Sequence, residues 1–96
     1  MKKDTMLKIL EELKESVKQR YKAEIRGVFG SYVRGEAKRG SDIDILVDFY
    51  RGASLLDLVG LSSFLEKKLK RKVDIVPRSS IRKELKKEIL KEAIFL

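Results

Sequence analysis

The chain has 96 residues, 43% of them apolar and 40% charged, with no Cys, no His and no Trp. That composition excludes disulfides, thiolate or imidazole zinc sites, Cys nucleophiles and Ser-His-Asp triads. Lys and Arg (23) outnumber Asp and Glu (15), and the formal charge of +8 points to anionic partners: nucleotides, nucleic acid or an acidic protein surface.

General-base work must fall to Asp, Glu, Lys, Tyr or water, and hard oxygen ligands favour Mg²⁺ or Mn²⁺. A chain of this length is expected to form one domain, 1–96, burying roughly 60–65% of its unfolded surface. The charge-rich composition fits a thermophile-type surface laced with ion pairs. No apolar stretch approaches the ~20 residues of a membrane span, and the first residues lack a signal peptide's apolar region, so a cytoplasmic protein without membrane contact is expected.

In chain order, residues 4–20 read as a helix with Met6, Ile9, Leu10, Leu13 and Val17 on one stripe and Asp4 or Thr5 as its cap. Glu24 to Phe29 reads as a short strand, with Gly27 allowing close backbone approach. Residues 31–36 form a stub of helix ending near Gly35, and Ala37 to Ser41 a basic loop. Ile43 to Phe49 is the clearest strand: Ile43, Ile45, Val47 and Phe49 share one face, while Asp42, Asp44, Leu46 and Asp48 share the other. Ser54 caps a long helix running to about Lys70, with Leu55, Leu58, Leu61, Leu65 and Leu69 on its buried side. Lys72 to Val76 is a third strand ended by Pro77, and Ser79 or Ser80 caps a last helix carrying Ile81, Leu85, Ile89 and Ala93. The expected fold is α/β (α+β), of order α-β-α-β-α-β-α, with a small mixed three-stranded sheet packed by helices. For Gly30-Ser31 and Asp42 to meet, the first two strands must run antiparallel, and the long helix then returns the chain for a parallel third.

Chemistry concentrates between Gly30 and Asp44. A Gly-Ser turn after an apolar strand, opening a helix, presents N–H groups, a hydroxyl and a dipole end to a phosphate. Asp42 and Asp44 stand two apart, on one face of a strand and about 6.5–7 Å apart along it. Such a pair can clamp two divalent ions about 3.5–4 Å apart. Asp74 interrupts an apolar strand, where a charge is costly unless paired or metal-bound, and a neighbouring third strand would bring it beside the other two. Three carboxylates in one cleft repel and call for a cation. Arg34 lies one turn along from Ser31 and can reach a β- or γ-phosphate or pair with Glu36 or an Asp. Lys38 and Arg39 either steer the triphosphate or acceptor or belong to a solvated loop. Tyr32 stacks on a base or packs, Asp48 has a surface or ion-pair role, and Ile94-Phe95-Leu96 docks on the core or a partner.

The run Gly30-Ser31-Tyr32-Val33-Arg34-Gly35-Glu36-Ala37, followed by Ser41-Asp42-Ile43-Asp44-Ile45-Leu46-Val47, resembles the signature of the polymerase-beta-type nucleotidyltransferases, and more closely their minimal branch. Val33 and Ile45 replace residues commonly Ala and Leu there. The resemblance implies the polymerase-beta-like fold, Asp42, Asp44 and Asp74 as catalytic and metal-binding residues, and Gly30, Ser31, Arg34 and Ser41 at the nucleotide. It further implies transfer of a nucleoside monophosphate, most often from ATP, with two Mg²⁺ ions, Mn²⁺ being an alternative. Minimal members stand beside HEPN-type ribonuclease toxins and, as their antitoxins, adenylylate a toxin tyrosine. A homo- or hetero-oligomer is compatible with this, and nucleic acid is not required. The rival readings are an antitoxin that neutralises its partner by masking it, nucleotidyl transfer to RNA or a small molecule, and a basic RNA-binding module. The last lacks an aromatic stacking platform.

Overall fold

The computed structural model describes residues 2–96. Helix α1 (Lys3–Tyr21) buries Met6, Leu10 and Val17 along one stripe. It starts from Lys2 without a side-chain cap, so neither Asp4 nor Thr5 caps it. Asp4 instead lies in the first turn, where its negative charge complements the positive end of the helix dipole. Strand β1 (Ala23–Phe29) leads into the single-turn helix α2 (Ser31–Arg34), which stops at Gly35 in the left-handed region (φ 74°). Strand β2 (Ile43–Phe49) follows the basic loop. Helix α3 (Leu55–Leu69) starts at Ser54, whose N–H donates to Asp57 Oδ2 at 2.8 Å, and buries Leu61, Leu65 and Leu69 completely.

The sheet order is β3-β2-β1-β4. β1 and β2 run antiparallel, from Ala23 opposite Phe49 to Phe29 opposite Asp44. β3 (Val73–Pro77) lies parallel to β2, from Ile43 beside Val73 to Val47 beside Pro77. The expected antiparallel-then-parallel arrangement therefore holds. Helices α1 and α3 cover one face, where Ile25, Val28, Ile43, Ile45 and Val47 join their apolar stripes in one core. Alternation along β2 then turns Asp44 and Asp48 to the opposite face.

Two expectations are corrected at the end of the chain. The sheet has four strands rather than three, because Ile94–Phe95 forms β4, antiparallel to β1. Gly27 makes this possible: a Cβ there would run into the Ile94 carbonyl, and β1 carries a register irregularity between Ile25 and Gly27. The Leu96 N–H extends the pairing by donating to the Arg26 carbonyl at 2.9 Å. The second correction concerns the last helix, α4 (Lys83–Glu92), which starts from Arg82 with no side-chain cap. Ser79 and Ser80 belong to a 3₁₀ turn (Arg78–Ser80), and Ile81 and Ala93 fall outside the helix. Among the described residues no helix is long and apolar enough to cross a membrane.

Candidate active site

The open face of the sheet assembles its charges from three strands. Phe29 pairs with Asp44 across β1 and β2, so Gly30 sits directly beside Asp44. Gly30 has φ 83°, a conformation that strains any other residue, and a Cβ on it would strike the Asp44 carboxylate. Only glycine admits the carboxylate this close to the turn. The Gly30 carbonyl accepts from the N–H groups of Val33 and Arg34 at 3.0 and 3.1 Å, which winds α2 immediately after β1.

On the other side of β2, Asp44 and Asp74 are register partners on parallel strands. In-register neighbours point to the same face of a sheet, so the two carboxylates share one rung. Asp42 precedes β2 and is exposed, as is Asp74, while Asp44 is half-buried. Burial first, then the negative charges of Asp74 and Asp42, push the Asp44 carboxyl up to about 6. The like charges of the trio are thus felt at one point. Among the described residues, no three Asp or Glu side chains close into a ready-made metal cage as they stand. Their chemistry, hard carboxylate oxygens around a centre of repelling negative charge, fits a hard divalent cation that draws further donors from a bound ligand.

Asp48, two pleat repeats along β2 from Asp44, is neutralised within the protein. Arg78 grips it through Nε at 3.0 Å and Nη2 at 2.9 Å, and Arg26 Nε approaches at 3.2 Å. It therefore has the ion-pair role expected from its place on the strand. Ser41 closes the loop ahead of β2, its Oγ accepting the Lys38 N–H at 2.8 Å and its own N–H donating to the Lys38 carbonyl at 2.9 Å. That turn helps shape a cavity of about 560 Å³ lined by Tyr32, Lys38, Arg39, Gly40 and Arg71, cationic with one aromatic wall. A groove of about 420 Å³ runs between Leu58, Val59 and Ser62 of α3 and the edge of β3 at Val73 and Asp74.

Arg34 makes two ion pairs, Nε with Glu36 Oε1 at 2.7 Å and Nη1 with Glu92 Oε1 at 2.6 Å. Glu92 was not among the expected site residues. Its second oxygen, Oε2, accepts the Gly30 N–H at 3.2 Å. The hydrogen bond from Arg34 keeps the Glu92 carboxyl below the usual range against the opposing effect of burial, with the Gly30 N–H assisting. One sequence signal points to it: Glu92 is the last residue of α4, where a carboxylate opposes the helix dipole and needs a partner.

The strand–turn–helix with its Gly-Ser, joined to acidic residues on two neighbouring strands, defines a nucleotidyltransferase architecture. The chain belongs to the family of the nucleotidyltransferase domain, whose model matches residues 10–96, and is a nucleotidyltransferase enzyme. It is 44% identical over 88 residues to the protein adenylyltransferase MntA of Thermococcus cleftensis, covering 92% of this chain and 89% of the relative. Its fold superposes with a TM-score of 0.84 on the solved structure of a proposed minimal nucleotidyltransferase, at 40% identity and covering 100% of this chain and 97% of that one. A toxin–antitoxin structure with AMP-PNP is also similar, with a TM-score of 0.69, 25% identity and coverage of 88% of this chain and 70% of that one.

Proposed function

We propose that this chain is a protein adenylyltransferase of the antitoxin type, moving AMP from ATP to a tyrosine hydroxyl of a partner HEPN-type toxin. The observation that carries the reading is the single rung shared by Asp44 and Asp74, with Gly30 pressed against the Asp44 carboxylate. It joins an acidic centre to a phosphate-binding turn within one contact. The adenylyltransferase relative and the toxin–antitoxin structure with AMP-PNP support the choice of reaction and partner.

Asp42, Asp44 and Asp74 would hold the divalent cations, Mg²⁺ or Mn²⁺, with phosphate oxygens completing the coordination. When bound, the cations neutralise triphosphate charge and lower the pKa of the attacking hydroxyl. Gly30, Ser31 and Arg34 receive the β- and γ-phosphates, the turn through its N–H and hydroxyl groups and Arg34 through its guanidinium. The acceptor oxygen attacks the α-phosphorus in line, the bond from that phosphorus to the bridging oxygen breaks, and pyrophosphate leaves. Asp74, exposed on the edge strand of the sheet, would take up the proton of the attacking tyrosine hydroxyl. Lys38, Arg39 and Arg71 line the cationic cavity beside the turn and raise the local concentration of the triphosphate.

Label transfer tests the reading. With purified partner toxin, Mg²⁺ and ATP labelled in the α-phosphate, the wild-type chain is expected to label the toxin. Asp44→Ala and Asp74→Asn are each expected to reduce the rate at least a hundredfold, the scale of losing a proton acceptor or a metal ligand. Unchanged labelling by either variant rejects the assignment.

A further inference from the structure

The donors that the proposed function gives to the triphosphate are already holding an anion from the chain itself. Glu92 takes the Gly30 N–H at 3.2 Å through Oε2 and the Arg34 guanidinium at 2.6 Å through Oε1. A carboxylate bridging a turn N–H and an arginine meets the same two donors that a phosphate oxygen pair would use. Glu92 also lies close enough to Asp44 for its negative charge to be felt there, so it stands at the acidic centre as well as at the cradle. A triphosphate with its own negative charge cannot share this position with an ionised carboxylate.

We propose that Glu92 is an internal competitor of the nucleotide: its carboxylate holds the Gly30–Arg34 cradle closed, and the triphosphate enters by displacing it. This inference rests on the reading of that cradle as the triphosphate site. The segment carrying Glu92 is built to let go. Helix α4 buries none of its residues, and beyond Glu92 the chain is tied by the two-residue strand β4, the Leu96 N–H and the Leu96 side chain against the core. Short, edge-paired, exposed elements occupy the low end of local opening energies. Displacement needs only that the Glu92 side chain swing out of the cradle, with Leu96 keeping its packing against the core. Arg34 remains paired with Glu36 at 2.7 Å through Nε and so stays oriented when Glu92 leaves. The apparent affinity for nucleotide is reduced by the fraction of chains in which Glu92 occupies the cradle.

The test measures binding of Mg²⁺–AMP-PNP and of inorganic triphosphate to the full chain by titration calorimetry, together with KM and kcat for transfer. Glu92→Gln keeps the side chain's size and removes its charge, and it is expected to tighten both ligands roughly five- to tenfold. It should lower KM for ATP by a similar factor without lowering kcat. Glu88→Gln removes the same charge one turn earlier on the same helix face, at an exposed position, and is expected to leave both constants within about twofold. Unchanged or weaker binding by Glu92→Gln, or equal tightening by Glu88→Gln, overturns the competition. Tightening in Glu92→Gln with no transfer by any chain sustains the competition and removes the transfer reading. Transfer whose KM ignores Glu92→Gln removes the competition and leaves the transfer reading standing.

Discussion

Helices α3 and α4 both follow a turn out of the sheet, yet they are held in different ways, and α3 leaves Leu55, expected on its buried side, exposed with Leu56 and Val59. α3 sinks Leu61, Leu65 and Leu69 into the core, and Asp57 secures its first turn to the Ser54 N–H. α4 buries no residue, begins without a side-chain cap, and its end reaches the body of the protein through Glu92, the two residues of β4 and Leu96. The difference separates two duties. The buried helix returns the chain so that β3 lies in register with β2, which places Asp74 beside Asp44. The exposed helix supplies a removable charge at the mouth of the same site.

Substitutions on the two helices should expose this contrast, starting with the largest effect. Leu65→Ala opens a cavity in a fully buried position and is expected to cost about 2–5 kcal/mol, read as a fall in the denaturant midpoint at unchanged slope. Asp57→Ala removes the carboxylate that accepts the Ser54 N–H and should cost about 1 kcal/mol by the same measurement. Leu85→Ala on α4, at a residue already 51% exposed, should stay within about 0.5 kcal/mol of wild type. A loss at Leu85 comparable with that at Leu65 would dissolve the distinction between the helices.

The site between them gives a pH-dependent version of the same test. The Asp44 carboxyl rises from 3.8 to about 6 in the folded chain, so the folded state favours its neutral form. That contribution is fully present below about pH 4 and is lost as pH climbs through about 6. Two units would correspond to nearly 3 kcal/mol, but Asp44 is only half-buried and solvent screening reduces this to about 1 kcal/mol. Asp44→Asn should therefore be more stable than wild type at pH 7 by about that amount and equal to it at pH 4, followed by thermal unfolding in the absence of divalent cations. An equal difference at both pH values would mean that charge repulsion at Asp44 is not its cause.

Much of this arrangement is legible in the sequence because it is periodic and local. The alternation through Ile43, Ile45 and Val47 puts Asp44 on the opposite face, and the requirement that Gly30-Ser31 meet Asp42 dictates an antiparallel pair. The long apolar helix between the second and third strands then calls for parallel pairing, which the Asp44–Asp74 rung realises. What escaped has no periodic signature. Two residues, Ile94 and Phe95, are too few to show alternation, and their strand depends on an absent Cβ at Gly27 far away in sequence. The caps expected at Asp4, Thr5, Ser79 and Ser80 fail because helix boundaries follow tertiary contacts as much as local chemistry. Glu92 reads as one more charge on a Lys/Glu-rich helix until the fold brings it to Gly30, sixty-two positions earlier.

The most direct measurement of the chemistry at the Asp44–Asp74 rung uses two samples of ATP, one labelled in the α-phosphate and one in the γ-phosphate. Each is incubated with the full chain, Mg²⁺ and the HEPN-type toxin proposed as its partner. Attack at the α-phosphorus predicts that the α-label is retained on a toxin tyrosine while the γ-label leaves as pyrophosphate, and that both signals vanish in Asp44→Ala. Appearance of the γ-label on the toxin, or retention of the α-label in the Asp44→Ala chain, would contradict adenylyl transfer from this site.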